Sequence, residues 1–195
     1  MRTRLQRIEE VARRKVVCGH PGLYSALAEA CWLLDPRSYL EVGVADGASV
    51  ITVVDNSPSL SRIVLIDKWR EGEWHGRSGH GHIKPTLAGM GYAGDVLCLD
   101  GDSREVLPRL DPKMPFDLIL IDGDHSPEAA ARDLENAYPL MAPRGILVFD
   151  DATRPGLPAV WSDFCRKHPV RELLTVDDEI DAVALALHGE KAASA

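Results

Sequence analysis

The chain has 195 residues, 45% of them hydrophobic and 27% charged, with a formal net charge of −8 and a pI near 5.3. That length suits one domain with a substantial core. The acidic balance repels phosphate backbones, so nucleic acid is not expected as a partner, and otherwise it serves solubility. No apolar run approaches the roughly 20 residues that span a bilayer, so no membrane partner is expected either. Cys18, Cys31, Cys98 and Cys165 form no Cys-x-x-Cys pair. They read as reduced thiols of a cytoplasmic protein rather than zinc ligands.

Residues 2–17 are predicted helical, with Leu5, Ile8, Val11 and Ala12 on one face. They carry charge throughout and lack the apolar stretch of a signal peptide. A second helix is predicted over "PGLYSALAEACWLL", ending before Asp35-Pro36. "SYLEVGV" reads as a strand running into a glycine turn. "ASVITVVD" follows; its β-branched residues favour strand, but a parallel strand pair needs a crossover here, so a helix is expected. Further strands are predicted at "SRIVLID", "GDVLCLDGD", "FDLILID" and "GILVFDD". Between the last two, "SPEAAARDLENAYPLMAP" is a predicted helix, capped by Ser126, with Pro127 in its first turn and Glu128 at its positive end. Ala130, Leu134, Ala137 and Met141 line one of its faces. "PAVWSDFCRKH" is a further helix, and "RELLTV" and "DAVALALHG" are closing strands.

Strands alternating with helices imply βαβ units and a mostly parallel sheet, and apolar runs such as "LILI" and "ILVF" imply burial on both faces. The expectation is one domain over 1–195. N-terminal helices fill 1–35 and a Rossmann-like, doubly wound α/β core fills 36–190. The N-terminal helices could pack on a second copy, giving a homo-oligomer, or cover a site.

In such a sheet ligands bind outside the carboxyl ends of the strands. The predicted ends deliver Glu41, Gly43, Asp46 and Gly47; then Asp67; then Gly101, Asp102 and Ser103; then Asp122, Asp124 and His125; and finally Asp150 and Asp151. The glycines let backbone approach a ligand closely. Asp67, at the end of the second strand, is placed to reach ribose hydroxyls. The full G-x-G-x-x-G is absent, and Asp46 disfavours a pyrophosphate. A nucleoside cofactor without phosphates is therefore expected, which disfavours a nicotinamide dehydrogenase. A nucleoside-binding module without catalysis stays compatible with the pattern.

"YLEVGVADGAS" resembles the first motif, E/D-x-G-x-x-x-G, of class I S-adenosylmethionine-dependent methyltransferases. "IDGDHSPEAAARDLENAYPLMAPRGILVFDD" resembles the fourth-to-fifth-strand region of a bacterial small-molecule methyltransferase family within that class. The similarity covers residues 38 to 151, with Arg144 standing where a second glycine is common, a change expected only to alter the turn. The resemblance implies a seven-stranded sheet with the last strand antiparallel, and S-adenosylmethionine as cofactor. It implies Glu41, Gly43 and Gly47 around the cofactor's amino acid and ribose, and Ser49 on its carboxylate. It places Asp67 on the ribose, Asp102 and Ser103 at the adenine, and Asp122 beside the cofactor as well. The acceptor it implies is a small hydroxylated molecule, a sugar or secondary metabolite, methylated on oxygen.

Asp122, Asp150 and Asp151 repel one another unless a cation or protons intervene. Oxygen-only ligands suit Mg²⁺ or another hard divalent ion. The metal-dependent O-methyltransferases of the catechol and sugar types are similar here; a metal-independent enzyme is the alternative. For the base, Asp124 matches the position used by sugar O-methyltransferases with an "IDGD" motif. His125 falls near the lysine base of the catechol type, and histidine titrates near neutrality. Both stay open. Lastly, residues 69–85 mix glycines with Trp69, Trp74, His75, His80 and His82. A lid over the substrate is expected. His80-x-His82 lacks a nearby carboxylate or cysteine to complete a metal set.

Overall fold

The computed structural model describes residues 22–69, 79–175 and 184–189. The helix expected over 2–17 lies outside them, as do residues 70–78 of the expected lid.

The first described helix, α1 (Leu23–Leu34), buries Ala26, Leu27, Ala30, Cys31, Leu33 and Leu34. It leads into β1 (Ser38–Val42), which is buried at every position. The segment with strand-like composition is the helix α2 (Ala48–Asp55), as the crossover requires. Its Val50 and Val53, three residues apart, pack on the sheet, so tertiary burial overrides propensity. Then come β2 (Arg62–Asp67), α3 (Ile83–Gly89), β3 (Asp95–Asp100), the short α4 (Ser103–Val106), β4 (Phe116–Ile121) and α5 (Pro127–Ala137). The chain closes with β5 (Met141–Phe149), α6 (Leu157–Lys167), β6 (Val170–Thr175) and β7 (Ala184–His188).

The helix expected to run through Met141 and Pro143 stops sooner. A 3₁₀ turn over Tyr138–Leu140 follows α5, and Met141 already belongs to β5. Ser126 holds the N-cap position of α5, but its side chain makes no cap bond. Arg144 sits inside β5 with a left-handed φ of 64°, beside a register shift against β4 between Phe116 and Leu118. Glycine adopts that φ without strain, whereas an L side chain costs about 1–2 kcal/mol. The departure at Arg144 therefore falls in a strand irregularity, not in a turn.

The seven strands form one sheet in the order β3-β2-β1-β4-β5-β7-β6. β7 runs antiparallel to β5 and β6, and the other neighbours are parallel. This is the expected Rossmann-like, mostly parallel seven-stranded sheet with its last strand antiparallel. The period of two in each strand separates two cores. Tyr39, Ile63, Leu65, Leu118 and Leu120 face α1, α2 and α3. Leu40, Val42, Ile66, Ile119 and Ile121 face Leu107, α5 and α6. Strand order reverses between β1 and β4, so a crevice opens at the carboxyl ends there.

Candidate functional site

Backbone bonds just beyond the strands hold their ends in line. Gly101 N donates to Asp67 O (2.9 Å), Gly43 N to Ile66 O (3.0 Å), Asp122 N to Val42 O (2.8 Å) and Asp150 N to Ile121 O (3.0 Å). Over these ends lies a cavity of about 420 Å³. Gly43, Ala45, Asp46, Asp67, Lys68, Asp102, Ser103 and Arg104 line one side; Asp122, Gly123, Asp124 and His125 line the other; Tyr24 of α1 completes it. Gly43 makes the juxtaposition possible. Its φ is +83°, and a Cβ there would stand 1.8 Å from the Asp122 carbonyl oxygen.

The turn after β1 has left-handed φ at Gly43, Ala45 and Gly47 (83°, 49° and 84°). Asp67 holds it from within: its Oδ2 accepts from Val44 N (2.7 Å) and Ala45 N (2.9 Å), and its Oδ1 from Trp69 N (2.9 Å). Consecutive amides of this kind bind anions, and here an internal carboxylate already occupies them. This agrees with a cofactor lacking a pyrophosphate. A carboxylate has about four acceptor positions, so Asp67 keeps about one for a ligand.

The neighbouring acid is similarly engaged. Asp102 Oδ1 accepts from Arg104 Nε (2.8 Å) and Arg104 N (3.0 Å), and Lys68 Nζ lies 2.9 Å from its Oδ2. The Arg104 and Lys68 bonds hold its pKa well below the usual carboxylate range. Ser103 donates to Asp133, whose pKa burial raises to about 6.

Glu41 and Ser49 do not line the cavity. Glu41 is fully buried and shares a sheet face with Tyr39. Its Oε2 accepts from the Tyr39 hydroxyl (2.8 Å) and its Oε1 from the Ser49 hydroxyl. Burial pushes its pKa up to about 8 against those two bonds. Gly47 lies just outside the cavity as the N-cap of α2.

The opposite wall is crowded with acids. Asp122 hydrogen-bonds Asp150; burial first, then the Asp150 charge, lifts its pKa far above the carboxylate range. Two like charges this close disfavour ionisation of both unless a cation or a proton intervenes. Asp151, with φ of 53°, receives His125 Nδ1 at 3.2 Å and Arg154 Nε at 3.1 Å on the same Oδ2. Burial lowers the His125 pKa, and the Asp151 charge opposes that shift. Asp124 is exposed. Its Oδ1 accepts from Ser126 N (2.9 Å), and that bond, with help from Lys68 and Arg104, lowers its pKa.

Asp122, His125 and Asp151 each present a ligand atom within 4.8 Å of the others. Asp122 and Asp151 of the expected trio are in this group, and His125 stands where Asp150 was expected. The donor set fits a divalent ion: two half-buried carboxylates at close range are what a cation neutralises, and an imidazole can complete the set. The exposed Arg154 would share Asp151 with it.

Four cavity residues escaped the sequence reading or sit behind it. Tyr24, Lys68 and Arg104 come to the site only through the fold. Asp133 left a signal: it falls within the apolar stripe Ala129, Ala130, Leu134 and Ala137 of α5 and is buried there. The paired histidines do not form a chelate. His80 Nε2 meets Asp100 Oδ2 (3.2 Å), whereas His82 Nε2 meets the Asp46 carbonyl (2.9 Å).

This sheet order and this crevice define a class I, Rossmann-like methyltransferase. The comparisons agree. A family model described as a methyltransferase domain matches residues 40–152, more than half of the chain. The chain belongs to that family of methyltransferase domains and is an S-adenosylmethionine-dependent methyltransferase. No curated protein matches the sequence. Among solved structures, the O-methyltransferase TomG from Streptomyces achromogenes, determined with S-adenosylmethionine, is 21% identical. The match covers 97% of this chain and 91% of that one, with a TM-score of 0.66. An O-methyltransferase from Bacillus cereus in complex with S-adenosylhomocysteine is 18% identical over 94% and 91%, at 0.64. The N-methyltransferase NodS from Bradyrhizobium japonicum is 16% identical over 86% and 94%, at 0.59. At such identities the likeness concerns the fold, and it spans both oxygen and nitrogen acceptors. Among the described residues no helix is long and apolar enough to cross a membrane.

Proposed function

We propose that this enzyme methylates a hydroxyl oxygen of a small molecule, a sugar or secondary metabolite, with the Asp122–Asp150 and His125–Asp151 pairs handling charge and proton. The observation that carries this reading is the division of one cavity. Asp67 and Asp102, held by amides and cations, line it at the ends of β2 and β3; Asp122, Asp124 and His125 line it at the end of β4, with Asp150 bonded to Asp122 and Asp151 to His125. S-adenosylmethionine supplies, when bound, a methyl group on a positively charged sulfur. On the first wall Asp67 would hold its ribose with the remaining acceptor position. Gly43 and Gly47, with Glu41 and Ser49 beneath, would shape the turn around its amino acid, and Asp102 and Ser103 would stand at the adenine.

On the second wall His125 is the better base. With Nδ1 turned to Asp151, Nε2 would accept the acceptor's hydroxyl proton as oxygen attacks. Asp151 then stabilises the imidazolium that results. Asp124, with its lowered pKa and its bond to Ser126, is the weaker base. Asp122, Asp150 and Asp151 would hold a divalent cation such as Mg²⁺, which would lower the pKa of the acceptor hydroxyl. Orientation and charge neutralisation supply the rest of the catalysis.

Two tests follow. S-adenosylhomocysteine should bind in titration calorimetry while NAD does not. Labelled S-adenosylmethionine should transfer its methyl group to oxygen in a panel of small hydroxylated acceptors. Transfer only to amines in a matched panel would refute the oxygen assignment. Mg²⁺ binding that persists in Asp150→Asn would refute the metal ligands.

A further inference from the structure

We infer that Trp69 and His82 are positioning residues for cofactor binding. Both follow β2 in the chain, and they hold two consecutive carbonyls of the turn after β1. The inference rests on the reading that this turn receives S-adenosylmethionine.

The turn needs external support. Ala45 has a φ of 49°, a left-handed conformation that a non-glycine residue keeps only where its surroundings over-determine it. Those surroundings are visible on both sides of the residue. Its N–H is taken by Asp67 Oδ2 at 2.9 Å, and its carbonyl accepts from Trp69 Nε1 at 3.2 Å. The next carbonyl, that of Asp46, meets His82 Nε2 at 2.9 Å. Ala45 and Asp46 both line the cavity, so the two clamped peptides belong to its wall.

The clamp is itself braced. Trp69 is buried, and the His80 ring packs against it at a centroid distance of 4.8 Å. His80 in turn meets Asp100 at the end of β3. Ile83, next to His82, is buried and stands 3.5 Å from where a Cβ on Gly47 would lie. Trp69, His80 and His82 thus have a use that metal binding does not explain. They hold the turn in one conformation, so a ligand need not spend affinity ordering it.

Titration calorimetry of the full chain with S-adenosylhomocysteine tests this. In His82→Gln the side-chain amide can donate from the position of Nε2; in His82→Asn it is one carbon too short. Affinity in His82→Gln should stay within about twofold of the parent, and His82→Asn should weaken it about three- to tenfold, the worth of one neutral hydrogen bond. Trp69→Phe keeps the packing but loses the indole N–H, and should weaken binding by the same factor; it also stands in if His82→Asn does not fold. Equal affinities for His82→Gln and His82→Asn, together with parental affinity in Trp69→Phe, would overturn the clamp. No binding by the parent chain would instead overturn the cofactor reading beneath it.

Discussion

The two walls of the cavity use the same side chain to opposite ends. On the β2 and β3 side, Asp67 and Asp102 are each bound by backbone amides or by cations, and Asp102 is held ionised. On the β4 and β5 side, burial and the neighbouring Asp150 push the Asp122 pKa up, and Asp151 leans on His125 and Arg154. A carboxylate whose acceptor positions are filled is rigid scaffolding with little left to exchange. Carboxylates set against one another invite a cation or a proton. The proposed function assigns recognition to the first wall and chemistry to the second.

Joining the walls is the most fragile feature. Gly43→Ala would drive a Cβ into the Asp122 carbonyl and strain a positive φ. We expect a loss of roughly 3–5 kcal/mol in denaturant unfolding, among the largest single-residue effects. A loss under about 1 kcal/mol would mean that the strand ends part easily.

The chemical wall comes next. His125→Ala should lower turnover by roughly 10²–10⁴-fold, the usual worth of a general base, and leave S-adenosylhomocysteine binding unchanged. Asp124→Asn should lower it far less. Steady-state kinetics on both variants decides between them, and the reverse ranking would move the base to Asp124.

On the recognition wall, Asp67→Ala should weaken S-adenosylhomocysteine by roughly 1.5–3 kcal/mol, the worth of bonds to a charged group. It also releases the amides of Val44 and Ala45, so Asp67→Asn should lose less. Unchanged calorimetric affinity in both would remove Asp67 from the site.

The last effect is one of pH. The folded-state pKa of Glu41, about 8, lies above its ordinary 4.5. Between those values the native chain keeps a proton that the unfolded chain releases. Stability is therefore full below the lower value and falls as pH rises through the upper one. Glu41→Gln should flatten that slope in urea unfolding across the same window, and an identical slope would show that Glu41 titrates normally.

Much of this contrast was legible in the chain. The apolar runs and the carboxylates that end them located the sheet, its crevice and nearly every cavity acid. What the sequence hid was direction and partnership. Glu41 follows Tyr39 at a spacing of two, and so shares its face and turns into the helix layer instead of the crevice. The engagement of Asp67, Asp102 and the two histidines depends on residues brought from other strands and turns, which no local pattern announces. Tyr24 reaches the cavity only because α1 packs across the sheet. Met141 looked helical because a 3₁₀ turn containing Pro139 keeps the apolar pattern going into β5.

The division of the cavity can be observed directly in crystals soaked with S-adenosylhomocysteine and Mn²⁺, the ion being located by its anomalous signal. The account predicts the nucleoside against Asp67, Asp102 and Ser103, and the ion among Asp122, Asp150 and Asp151. A nucleoside lying on the β4 and β5 wall, or an ion bound at Asp67 or Asp102, would contradict it.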